Sequence, residues 1–112
     1  MIDWKQVNRL RTDVGIDAFD EIIELFINEV EGILERLRDR PNYAEMENDM
    51  HALKGSTLNL GFQTLSELCK KGEKLSADRN PKAVNLPEID SCFQISKSKF
   101  TTELPNAIMD EC

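Results

Sequence analysis

Apolar residues recur along this chain at the spacing of an α-helix, and this periodicity is the feature that most constrains its fold. From Phe19 to Leu37 the apolar positions are three or four residues apart, as on one face of a helix. No stretch sustains the alternation of apolar and polar residues that marks a half-buried strand, and clusters of β-branched residues are few. The sequence therefore predicts an all-α fold.

Residues that cap or break helices divide the chain into five helical segments. Asp3 and Asp17 are suited to cap the first two segments, Gly61 is suited to end the third, and Pro105 cannot continue the fifth regularly. The segments are a short one after Asp3, followed by 17–39, 43–60, 63–77 and 87–104. Residues 107–112 are either a short extra turn or a frayed tail. Four amphipathic helices with short connections predict an antiparallel four-helix bundle with a short additional N-terminal helix.

Length and charge restrict the class of protein further. The 112 residues suit a single domain spanning 1–112, and the formal charge of −7 disfavours binding to nucleic acid or to an anionic membrane. Apolar runs are too short to span a bilayer, and the amino terminus, with Asp3, does not resemble a signal peptide. We expect a cytoplasmic monomer.

Three cysteines, Cys69, Cys92 and Cys112, are odd in number and widely spaced. With only one histidine in the chain, this pattern argues against a disulfide framework and against a zinc site. We interpret them as reduced thiols, with Cys69 and Cys92 in contexts that suggest burial and Cys112 accessible at the terminus. No bound metal is expected.

The third segment carries two separate stripes when it is plotted at 100° per residue. The apolar stripe, which we expect to be buried, consists of Met46, Met50, Leu53, Thr57 and Leu60. A second stripe, about 120° away, consists of Glu47, His51, Lys54, Gly55, Leu58 and Phe62. The only histidine of the chain is therefore expected to face outward.

His51, Lys54 and Gly55 lie within one helical turn and form a compact candidate site. A neutral imidazole is a competent nucleophile near pH 7, and Lys54 supplies a positive charge within reach of an anion attached to the ring. A glycine inside a helix costs roughly 0.5–1 kcal/mol relative to alanine. We expect that Gly55 leaves the imidazole open to a partner; the alternative is that it permits close helix packing.

Leu58 and Phe62 continue the histidine stripe and, with Glu47, form a predicted partner-binding patch. The alternative for Phe62, just past Gly61, is that it turns inward under the helix junction. Lys70, Lys71 and Lys74 lie in the fourth segment and are either a solvated helix face or a basic rim suited to an acidic protein partner.

The pattern His51-x-x-Lys54-Gly55 followed by Gly61 resembles the signature of histidine-containing phosphotransfer (HPt) domains. The order of the early Asp3-Trp4 helix, the long second helix and the site in the third helix is also similar to that family. Gly72 departs from the resemblance, because a bulkier apolar residue is expected on its face of the fourth helix.

This resemblance implies a relay protein in a multistep His-Asp phosphorelay, with His51 as phosphoacceptor and Lys54 and Gly55 as supporting residues. Phosphorylated receiver domains would be the partners, and they would supply the aspartyl phosphate and a divalent cation such as Mg²⁺. Attack would come from Nε2 of His51. The chain has no P-loop and no kinase glycine loop, so we expect a phosphocarrier without its own kinase activity.

Two other functions remain open at this stage. The first is a helical adaptor that binds a signalling partner without being phosphorylated. The second is a metal-dependent or covalent enzyme, which a single histidine without a catalytic triad or metal-ligand spacing disfavours. A chain that begins at Met1 and shows no second domain favours a free-standing shuttle over a module of a kinase.

Overall fold

A computed structural model describes residues 2–109, with side chains through residue 104, and within this range the chain is helical. The only β pairing there is an isolated bridge between Ile2 and Phe62. The elements in chain order are α1 (Trp4–Val14), α2 (Ile16–Asp39), a 3-10 turn (Tyr43–Glu45), α3 (Met46–Asn59), α4 (Gln63–Ala77), a second 3-10 turn (Pro81–Ala83) and α5 (Leu86–Met109). The predicted all-α class is confirmed.

The helices enclose one core. Helix α3 packs against α2 and α4, both α2 and α4 contact α5, and α1 packs against α2 and α3. Aromatic side chains occupy the centre: Phe62 lies edge-on to Phe100 at 5.5 Å between ring centroids, and Trp4 stacks on Phe100 at 5.6 Å. The first helix thereby contacts the last directly, and Phe62 from the junction between α3 and α4 packs on the same Phe100 ring.

Several helix ends differ from the sequence prediction. The segment predicted to begin at Tyr43 starts with a 3-10 turn, and α3 runs only from Met46 to Asn59. Helix α2 begins at Ile16 rather than after Asp17, because Gly15 adopts a φ of +87° and takes the N-cap position. The backbone of α5 continues past Pro105 to Met109, since a proline removes one backbone donor from a helix without necessarily ending it. Residues 107–109 therefore belong to α5, while 110–112, including Cys112, lie outside the described residues.

The junction between α3 and α4 fixes how these two helices meet. Gly61 has a φ of +74°, and the amides of Phe62 and Gly61 donate to the carbonyls of Thr57 and Leu58, which is a Schellman C-cap. The amide of Asp3 donates to the Gly61 carbonyl at 2.7 Å. A Cβ at position 61 would lie 2.7 Å from the Asp3 carbonyl oxygen, so only glycine fits this turn.

Candidate functional site

His51 lies in the middle of α3 on the side that faces away from the core. All five residues of the predicted buried stripe, Met46, Met50, Leu53, Thr57 and Leu60, have no exposed surface. The His51 side chain, by contrast, is 70% exposed. Gly55 is exposed one turn later, and a Cβ built on it would have nothing within 4 Å. The ring is accessible, and Gly55 has no packing role in this structure.

A carboxylate from the neighbouring helix contacts both His51 and Lys54. Glu73 of α4 accepts from Nζ of Lys54 through Oε1 at 2.5 Å, and its Oε2 lies 2.6 Å from Nδ1 of His51. The Glu73 side chain is 21% exposed and that of Lys54 is 27% exposed, so the bridge is partly shielded from water. One carboxylate therefore ties together the histidine and the lysine.

This bridge determines which ring nitrogen of His51 is free. The hydrogen bond from Lys54, and to a smaller extent that from His51, lowers the pKa of Glu73 below its ordinary value, so its carboxyl group is ionised. An ionised carboxylate only accepts hydrogen bonds, so Nδ1 must carry the proton that it shares with Glu73. In the neutral ring Nε2 then keeps its lone pair and points away from the bridge.

Close contact between α3 and α4 brings Glu73 within reach of His51. Gly72, next to Glu73, is buried, and a Cβ there would meet Sδ of Met50 at 2.7 Å and Cγ1 of Val84 at 3.3 Å. The bulkier apolar residue expected at this position would push α4 away from Met50. Gly72, which departs from the family resemblance, therefore permits the close approach of α3 and α4.

Of the other predicted site residues, two are exposed and one is buried. Leu58 is 52% exposed and Glu47 is also exposed. Phe62 has no exposed surface and packs against Phe93 and Phe100, so its assignment to the partner-binding patch was wrong. The rotation of 100° per residue applies only within a helix, and Gly61 ends that helix one residue before Phe62.

Sequence reasoning missed Glu73. Its role depends on the alignment of α4 against α3, which a pattern within a single helix does not contain. A signal was available: Glu73 directly follows Gly72, a small residue at the helix face where close approach would be expected. An acidic side chain beside such a residue is a candidate partner for His51 and Lys54.

A cleft of about 430 Å³ opens beside Lys54 and Leu58. Its remaining lining comes from the amino-terminal segment and from α4: Asp3, Gln63, Ser66, Glu67 and Lys70. Lys71 and Lys74 are also exposed on α4. The surface next to His51 therefore combines an apolar side chain with charges of both signs.

Two further features of the described part of the chain bear on the class of protein. No group of three His, Cys, Asp or Glu side chains lies close enough together there to hold a metal ion. None of the helices between residues 2 and 109 is both long and apolar enough to cross a membrane. Cys69 is buried and Cys92 is half-buried, and neither forms a disulfide.

Comparison with known proteins gives one match. Residues 21–108 match the family model described as the Hpt domain. No curated protein and no solved structure matches the chain. The matched region contains α3, α4 and the bridge between His51 and Glu73, whereas α1 precedes it.

The chain belongs to the Hpt domain family. Members of this family are phosphotransfer modules of two-component signalling. They carry phosphohistidine in His-Asp phosphorelays and interact with receiver domains.

Proposed function

We propose that His51 is the phosphoacceptor of this Hpt protein, taking a phosphoryl group from a receiver aspartyl phosphate and passing it to another receiver. The observation that carries the proposal is the exposed imidazole whose Nδ1 is held by Glu73, because this leaves Nε2 as an accessible nucleophile. A ring fixed at one nitrogen is also oriented for in-line attack.

The supporting residues have distinct roles in this proposal. Lys54 keeps a positive charge within one helical turn of the phosphoryl group and holds Glu73 in place. Gly55 leaves the space over His51 free for the receiver. The divalent cation and the acidic groups that bind it are expected from the receiver, since phosphoryl transfer requires charge neutralisation beyond one lysine.

We assign receiver docking to the exposed surface around His51. Leu58 contributes an apolar contact, and Glu47 lies one turn before His51. The cleft lined by Lys54 and Lys70 receives polar groups of the receiver domain. We also infer that α2, α3, α4 and α5 form an antiparallel four-helix bundle with α1 across it. The contacts around the ring α2, α3, α4, α5 and back to α2 support this arrangement.

Incubation with a panel of phosphorylated receiver domains tests the proposal. We expect labelled phosphate to move to the wild-type protein and to be lost in acid, as a phosphoramidate is. His51→Gln should accept none while unfolding at the same temperature, because the side chain is 70% exposed. A protein that binds receivers but stays unlabelled would instead be the adaptor, and an acid-stable phosphate on serine or threonine would contradict the proposal.

A further inference from the structure

We propose that the outward-facing side of α2 is a docking surface for a basic helical segment of a partner protein, separate from the surface around His51. This second interaction goes beyond the phosphorelay role and does not depend on it. Helix α2 contacts α1, α3 and α5 on its other sides. The outer face of α2 consists of exposed residues only: Asp17, Glu21, Glu24, Leu25, Asn28, Gly32 and Glu35.

Ion pairs to the neighbouring helices define the direction of this face. Arg36 of α2 pairs with α3, whereas Glu31 and Arg38 pair with α5. At 100° per residue, the outer face lies between these two edges, on the side away from the core. Helix α4 contacts α3 and α5, and the His51 ring reaches across the seam between α3 and α4. The outer face of α2 and His51 therefore lie on different sides of the molecule.

Gly32, in the middle of the outer face, is not required by the fold itself. It has a helical backbone, and glycine at such a position lowers helix stability relative to alanine. A Cβ built on Gly32 would have nothing within 4 Å, so no packing within the described chain calls for glycine. The missing side chain allows the backbone of another molecule to approach α2 closely.

The spacing along the outer face is that of a seam on which a second helix packs. Leu25, Asn28, Gly32 and Glu35 follow one another at intervals of three and four residues. Leu25 is 59% exposed and supplies an apolar anchor, and Gly32, two turns later, is the point of closest approach. This seam fits a helical segment with apolar residues at the same spacing.

The charge of α2 selects the chemistry of that segment. From Thr12 to Glu35 the chain has eight acidic residues and no lysine or arginine. Within residues 2–104, no lysine or arginine forms an ion pair with the four carboxylates of the outer face. A segment with lysine or arginine on both flanks of its apolar residues would neutralise these carboxylates, whereas an acidic segment would be repelled. The partner is therefore basic.

Fluorescence anisotropy with a labelled peptide tests the proposal. The probe is an amphipathic peptide of leucine and lysine, about five helical turns long to match the outer face, with leucine at every third or fourth position. The comparison peptide has glutamate in place of lysine. We expect the lysine peptide to bind the wild-type protein, and the binding to weaken as salt rises. No binding of the lysine peptide, or equal binding of both peptides, would overturn the proposal.

Two variants test the contact without changing the charge. Gly32→Gln and Leu25→Ser should each weaken binding of the lysine peptide about tenfold, the loss expected at one central contact. The melting temperature should stay close to that of the wild type, because both positions are exposed. The matched control Ser98→Gln, at an exposed position of α5, should bind like the wild type. Wild-type affinity of Gly32→Gln and Leu25→Ser would show that the peptide binds elsewhere.

Two double variants separate a defined surface from general attraction to an acidic protein. Glu21→Gln/Glu24→Gln removes two carboxylates from the outer face and should weaken binding about tenfold. Glu67→Gln/Glu88→Gln removes two exposed carboxylates from α4 and α5, and its affinity should stay within about twofold of the wild type. Equal weakening in both double variants would mean that only the net charge matters, which contradicts a docking surface on α2.

Two further measurements test the identity and the independence of the partner. Transfer from a phosphorylated receiver to His51 should keep its rate in saturating lysine peptide; inhibition would show that the two surfaces overlap and would overturn the proposal. Sedimentation at increasing protein concentration tests the other occupant, the lysine-bearing α4 of a second copy. A dimer that Leu25→Ser abolishes would assign the outer face to self-association instead. If His51 proves not to be phosphorylated, the peptide measurements still decide this inference.

Discussion

At the scale of single residues, the site depends on a glycine, which has no side chain to cover the histidine, and on a carboxylate from another helix. Gly55 leaves open space over the turn that contains His51, and Glu73 holds the ring from the neighbouring helix α4. Helical side chains lean towards the amino terminus, so a side chain at position 55 would cover His51. Access and orientation are therefore set by two different helices.

Substitution of Gly55 separates access from packing. Gly55→Ala should raise the free energy of unfolding by about 0.5–1 kcal/mol, because the helix penalty of glycine is removed and the new Cβ meets nothing. Phosphotransfer should nevertheless slow, and Gly55→Gln should slow it further. Paired measurements of melting temperature and transfer rate check this; transfer at the wild-type rate in both variants would refute the access role.

The ionised Glu73 also predicts how stability depends on pH. Its pKa is lowered in the folded protein, so its contribution is complete above its ordinary value of 4.5 and is lost as the pH falls through the lower folded value. We would compare the single variant His51→Gln with the double variant His51→Gln/Glu73→Gln. The two proteins then differ only in the ion pair between Glu73 and Lys54. The difference between their unfolding free energies should shrink below pH 4.5; a difference that grows on acidification would contradict the assignment.

At the scale of helices, the limits of each element were more predictable than the contacts between elements. The spacing of apolar residues indicated five helices and the buried stripe of α3, because both depend on local periodicity. Phe62 was misplaced because Gly61 reverses the chain, and Glu73 was missed because its contact joins residues 22 positions apart. Contacts between helices depend on packing, which the periodicity of one helix does not specify.

Gly72 provides the clearest test of that packing. In Gly72→Ala the new Cβ would lie 2.7 Å from Sδ of Met50 and 3.3 Å from Cγ1 of Val84. Overpacking costs about 1–3 kcal/mol, and the gain in helix propensity offsets roughly 0.5–1 kcal/mol of it. We expect a net loss of about 1–2 kcal/mol, measured by denaturant unfolding. Gly55→Ala is the matched control in open space, and equal stability of the two variants would disprove the close packing of α3 on α4.

At the scale of the whole molecule, the proposed phosphoacceptor His51 is at the surface, whereas Cys69, the more buried of the two described cysteines, is in the core. Cys69 has no exposed surface, and burial raises its pKa to about 12. Cys92 is half-buried, and burial raises its pKa as well. The predicted burial of Cys69 is confirmed, and its thiol reports on the integrity of the core.

Thiol alkylation should therefore follow unfolding. At about pH 7.5 we expect Cys69 to react only in molecules that open, because the thiolate is the reactive form and both burial and the raised pKa suppress it. Peptide mass spectrometry after timed alkylation, with and without denaturant, measures the rate at this position. Labelling of native Cys69 as fast as a small-molecule thiol would show that the core is open at α4.

The central claim concerns one atom, and NMR of the phosphorylated protein tests it directly. With nitrogen-15 in the single histidine, coupling between phosphorus-31 and the ring identifies the nitrogen that carries the phosphoryl group. We predict that Nε2 of His51 is coupled to phosphorus while Nδ1 remains protonated against Glu73. Phosphorus coupled to Nδ1, or attached to any residue other than His51, would contradict the account.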